Sequence, residues 1–140
     1  MLQRISAVAM ISGFAASFLV GVLVVLLGSF LVTVLGVSDE ATLSELEGAL
    51  FTDLPLVAVA LIGALSSAFA AGYAAATTAP GDELLNALAV GVLLVAVSAA
   101  GYQYLRLDLY PLWYTIPAFV LTVPLSLVGG LVRRGPNIAA

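Results

Sequence analysis

The stretch "LPLVAVALIGALSSAFAAGYAAATTAPGDELLNALAVGVLLVAVSAAGYQYL", Leu54 to Leu105, decides how this chain folds. Its only charged residues are Asp82 and Glu83, which sit beside Pro80 and Gly81. On each side of that break lies an apolar run of the length a membrane helix needs, about 20 residues for a hydrocarbon core of about 30 Å. Pro80 and Gly81 end the first run. Asp82 suits the N-cap of the second, and Glu83 is favourable at its positive dipole end. So short a connector makes the two runs antiparallel neighbours.

Working outward, the same pattern occurs twice more. Apolar runs cover 5–37, 54–78, 84–105 and 112–132, and no charged residue lies inside any of them. Irregular backbone facing lipid leaves costly unpaired polar groups, so each run reads as a helix. The alternation that a β-barrel needs is missing. The expected fold is all-α: one integral membrane domain over 1–140, built as a four-transmembrane-helix bundle. The start, "MLQRISAVAM", has one positive charge before its apolar run, as a signal peptide would. That run continues for about 33 residues, far beyond the usual 7–15 of a signal peptide, and is expected to remain as an anchoring helix.

Composition agrees. The chain has 140 residues, of which 63% are hydrophobic and 9% charged, and its mean hydropathy is +1.21. A soluble domain carries about 25% charged residues. Whole classes of chemistry are excluded by what is missing. Without Cys there is no thiolate nucleophile or disulfide, without His no imidazole base or ligand, and without Lys no Schiff base. No carboxylate lies in a span, so the usual device for proton or ion coupling is missing too. The expectation is a non-catalytic protein with no cofactor, no metal and no nucleic-acid partner.

The four Arg orient the chain. Arg4 precedes the first run, Arg133 and Arg134 follow the fourth, and Arg106 lies between the third and fourth. Positive-inside counting gives three against one for both termini in the cytoplasm, within a prokaryotic cytoplasmic membrane. The segment "SDEATLSELEGALFTD", Ser38 to Asp53, then faces outward with five of the eight carboxylates: Asp39, Glu40, Glu45, Glu47 and Asp53. Thr42 and Glu45 fit a capping box, and Leu43, Leu46 and Leu50 share a helical face. A short amphipathic extracytoplasmic helix is expected there. It reads as a solvated cap, with a partner-docking or cation-attracting surface as the alternatives.

Within the spans, small residues recur four apart. Gly13, Ser17 and Gly21 form one ridge, and Gly63, Ser67 and Ala71 another. In lipid such ridges let helices approach closely, so the first two spans are expected to pack together or to meet a second copy. Pro117 and Pro124, seven apart, are expected to kink the fourth span and, with Thr115, Thr122 and Ser126, to border a small polar cavity. Gly129 and Gly130 are expected to loosen or end that span. Tyr102, Tyr104, Tyr110, Trp113 and Tyr114 read as an aromatic belt at the headgroup level.

The segments "GYAAATTAP" (72–80), "PLWY" (111–114) and "PLSLVGGLVRR" (124–134) resemble those of a group of small four-span prokaryotic membrane proteins with no agreed activity. The resemblance implies four-span topology and no mechanism. The expected role is an oligomerising or auxiliary subunit of a membrane complex, in contact with lipid and with itself or another membrane protein. The alternative is a small channel or facilitator with an acidic outer rim.

Overall fold

A computed structural model describes residues 5–34, 54–104 and 107–135. Four helices run through them: α1 Ala7–Val34, α2 Leu54–Thr77, α3 Glu83–Ala100 and α4 Leu112–Arg134, with a single 3-10 turn at Leu107–Leu109 before α4. All four are long and apolar enough to cross a membrane, and the chain is a four-span integral membrane protein. Helix α1, with 28 residues, is about 42 Å long at 1.5 Å per residue.

Helix α2 is the hub. It packs against α1, α4 and α3, while α3 also packs on α4 and touches α1 over a short stretch. Gly13, Gly21 and Gly28 of α1 meet Ala71, Ser67 and Val59 of α2 in reversed order, so these two helices are antiparallel. Helices α2 and α4 run parallel: Val57 and Ala60 cluster with Tyr114, and Gly72 meets Ser126 further along both. One end of the bundle therefore gathers the start of α1, the 78–82 turn and the end of α4. The other gathers the end of α3 and the starts of α2 and α4.

The core is made mostly of small side chains, with Leu56, Val57, Val90 and Tyr114 as its larger members. Ala68, Ala71, Ala75, Ala76 and Ala87 are each 1% exposed or less, and Gly63, Gly72, Gly91, Gly129 and Gly130 are buried among them. Large apolar side chains point outward instead, among them Phe14, Phe18, Phe30, Leu26 and Leu27 of α1. This inversion suits lipid as solvent. Burying a Leu gains nothing against hydrocarbon tails, whereas close backbone approach gains dispersion contacts.

Several sequence expectations are corrected in detail. Helix α3 stops at Ala100, short of 105, because Gly101 closes it by donating its N–H to the Val97 carbonyl at 2.8 Å. Helix α4 does not loosen at Gly129 and Gly130. It continues to Arg134, and Gly135, in the left-handed region at φ 67°, takes the cap. Both glycines are instead points of contact. A Cβ on Gly130 would come within 2.6 Å of Ala87 Cβ, and one on Gly129 would strike the Phe69 carbonyl. Asp82 stands at the N-cap of α3 without a side-chain cap bond. The turn is held by Gly81, whose φ of 95° excludes most side chains and whose N–H donates to Glu83 Oε1 at 3.0 Å. Pro117 and Pro124 lie inside α4.

Candidate functional site

Two polar places interrupt this apolar bundle. The first is a clasp at the end where the 78–82 turn lies. Asn86 is fully buried. Its Oδ1 accepts the Ser6 N–H at 2.9 Å, and its Nδ2 donates to the Asp82 carbonyl at 2.9 Å. Beside it the Ser12 and Thr78 hydroxyls bond at 3.0 Å, and Thr78 reaches the Ala75 carbonyl at 3.2 Å. These groups tie α1 to both α2 and α3. Every enclosed side-chain polar atom among the described residues has a partner, so the clasp is structural.

The second is a cavity of about 120 Å³ to which all four helices contribute. It begins where α1 and α3 part company. They meet at Ser6 with Asn86 and at Gly13 with Val90. Further along, Gly21, Val25 and Gly28 pack on Ser67, Gly63 and Val59 of α2. The walls carry six hydroxyl-bearing residues: Ser17 of α1, Ser67 of α2, Ser98 of α3, and Tyr114, Thr115 and Thr122 of α4. Ala64, Ala68, Leu94, Val95, Ala118 and Phe119 supply the apolar remainder.

Three of the hydroxyls donate to their own helix: Ser67 to the Ala64 carbonyl at 2.8 Å, Thr115 to Pro111 at 3.3 Å and Thr122 to Ala118 at 2.5 Å. Their oxygens keep acceptor capacity toward the cavity. Ser126 was expected at such a cavity and is not in its lining. It is fully buried, with its Oγ donating to the Ala87 carbonyl at 2.5 Å, wedged where Gly72 and Gly91 leave room.

The residues singled out from the sequence fall as follows. Gly13 lies against the Ala71 carbonyl, Val90 and Ala75; Gly21 faces Ser67; and Gly63 faces Val25 and the Gly21 carbonyl. Ser17 and Ser67 line the cavity. Tyr104 is 92% exposed, while Tyr114 is 7% exposed and packs with Val57 and Ala60. Trp113 is exposed. Tyr110 stacks on Tyr114 with ring centroids 4.1 Å apart, and burial pushes the Tyr110 phenol above its ordinary pKa. Tyr102 lies 6.3 Å from Phe119, ring to ring. Pro117 is half-buried and Pro124 exposed. Asp39, Glu40, Glu45, Glu47 and Asp53, with the amphipathic helix expected around them, lie outside the described residues. Sequence reasoning took Ser17 and Ser67 for packing residues and passed over Ser98. The available signal was a lone hydroxyl in each of three otherwise apolar helix faces.

No known protein family, curated protein or solved structure matches the chain.

Proposed function

We propose that this chain is a non-catalytic subunit of a membrane assembly, joined to copies of itself or to another membrane protein. The observation that carries the reading is the distribution of ionisable groups. The four apolar runs contain no Asp, Glu, Lys, Arg or His, and the only charged residues of the described helices are Glu83 in the first turn of α3 and Arg133 and Arg134 in the last turn of α4. Such a bundle has no group with which to couple a proton or ion to movement and no base for a Ser nucleophile. It does have charged rims, above all the five carboxylates of 38–53, with which to meet a partner. Tyr102, Tyr104, Tyr110 and Trp113 serve in this reading as the headgroup belt, without the inward-turned Tyr114.

The test is the size of the assembly in a mild detergent. A complex larger than the single chain is expected. It should dissociate in the Glu40→Gln/Glu45→Gln/Glu47→Gln variant and in high salt, because exposed charges are screened over about 8 Å already at physiological ionic strength. A strictly monomeric protein in native membranes, by cross-linking, overturns the reading. A second reading, a facilitator for a small uncharged solute, is favoured by the hydroxyl-lined cavity between the four helices.

A further inference from the structure

Ser17 and Ser98 make no hydrogen bond among the described residues. No enclosed polar side-chain atom in that set lacks a partner. The two hydroxyls therefore reach open space, and the space that both line is the cavity. Each holds a donor and acceptor lone pairs in reserve. Of the six lining hydroxyls, those of Ser17, Ser98 and Tyr114 donate to no group among the described residues, and on three different helices around one hole they make a site with unmet hydrogen-bonding capacity.

We propose that this cavity binds a small uncharged amphiphile of the alcohol or phenol class, with an apolar body and one hydroxyl. Size sets the scale. An enclosed apolar cavity of about 150 Å³ accommodates benzene, and this one, at about 120 Å³ and partly open, with most of its lining half-buried, takes a molecule of about that size with part of it in the opening. Polarity sets the class. Leu94, Val95 and Phe119 supply apolar lining, and Ser17 and Ser98 bring hydroxyls to the same space from two different helices. The lining holds no carboxylate or basic group, so an ion entering it would lose its hydration uncompensated. A purely apolar guest would leave the two serines unsatisfied, which costs more than a hydrogen bond gains. The proposal goes beyond the assembly reading and stands whether or not the chain has a partner.

The test uses the full chain in detergent micelles with alanine-methyl NMR, titrated in parallel with phenol and with benzene. The Ala64, Ala68 and Ala118 methyls report the cavity, and the exposed Ala15 methyl reports partition into the micelle. Saturable phenol shifts are expected at the three cavity methyls and linear shifts at Ala15. Benzene should bind at least fivefold more weakly. In Ser17→Ala/Ser98→Ala, which keeps the volume, phenol should weaken by about five- to tenfold and benzene should not, as expected for the loss of one hydrogen bond or slightly more. Ser98→Leu should abolish both by filling the space. If Ser98→Leu fails to fold, the double-alanine variant decides alone. Phenol shifts that stay linear at the cavity methyls, equal affinity for phenol and benzene, or a double-alanine variant that binds phenol unchanged would each overturn the proposal.

Discussion

The backbone N–H of Ser6 donates to Oδ1 of Asn86 at 2.9 Å, joining the entry of α1 to the first turn of α3 across 80 residues of chain. Asn86 is fully buried and its amide also holds the Asp82 carbonyl. Replacing it strands the part-buried Ser6 N–H, while the Asp82 carbonyl keeps the backbone N–H of residue 86 at 3.0 Å. Asn86→Leu is expected to destabilise the bundle by about 1–3 kcal/mol, read as lowered thermal stability in detergent. Ser12→Ala, which removes the exposed bond to Thr78 and the bonds to the Ala9 and Ala74 carbonyls but strands no buried donor, should cost less. Equal stability of Asn86→Leu and the parent would mean that the clasp does not hold α1 in place.

Glycines at the seams should rank by what a methyl group meets. At Gly72 it would strike the backbone of Ser126, at Gly13 it would lie 2.8 Å from Val90 Cγ2 and 2.9 Å from the Ala71 carbonyl, and at Gly21 its nearest neighbour is Ser67 Cβ at 3.5 Å. Gly72→Ala is expected to prevent folding or cost more than about 3 kcal/mol, and Gly13→Ala about 1–3 kcal/mol. Gly21→Ala should be near neutral, since ordinary contact is all it makes. The order of melting temperatures in one detergent checks this, and Gly72→Ala matching Gly21→Ala would contradict the α2–α4 packing.

Ser126 probes the other seam. Its Oγ donates to the Ala87 carbonyl, which already has helical geometry, so Ser126→Ala removes one satisfied bond and leaves the carbonyl its own helix partner. A loss of about 0.5–1.5 kcal/mol is expected. Ser126→Val adds bulk against Gly91, whose own Cβ position lies only 3.0 Å from Ser126 Cβ, and should cost more than the alanine. Equilibrium unfolding of the two variants separates hydrogen bonding from space.

Orientation rests on the Arg count and is tested directly. With both termini in the cytoplasm, a cysteine at Glu45 should react with a membrane-impermeant thiol reagent in intact cells, and one at Asn137 only after lysis. The chain has no native Cys to interfere. The reverse pattern would place the 38–53 segment inside.

Cation transport tests the channel alternative suggested by the acidic 38–53 segment. Purified protein in liposomes is expected to carry no cations, since no charged residue continues a path through the spans. A cation flux that falls in Glu40→Gln/Glu45→Gln/Glu47→Gln would promote the channel reading over the subunit reading.

Local composition alone determined that this protein lives in a membrane, that it has four spans and that its charges lie at the rims. Hydropathy over about 20 residues is a property of each segment by itself, and the bilayer acts on each segment separately. The turn at Pro80 and Gly81 was legible for the same reason. The ridge of Gly13 and Gly21 was visible as small residues four apart, but the seam of Gly72, Ser126 and Gly129 was not, because it pairs a glycine of α2 with a parallel helix about fifty residues later. Tertiary structure alone decided that Gly129 and Gly130 are contacts rather than breaks, and that Tyr114 turns inward. It also decided which hydroxyls meet. Ser126 is consumed by Ala87, while Ser17, Ser67 and Ser98 converge with Thr115 and Thr122 on one cavity. A hydroxyl in an apolar helix reads the same whether it faces its own backbone, a neighbouring carbonyl or a hole. The difference is set by where α1 and α3 diverge, and that depends on the packing of all four helices at once.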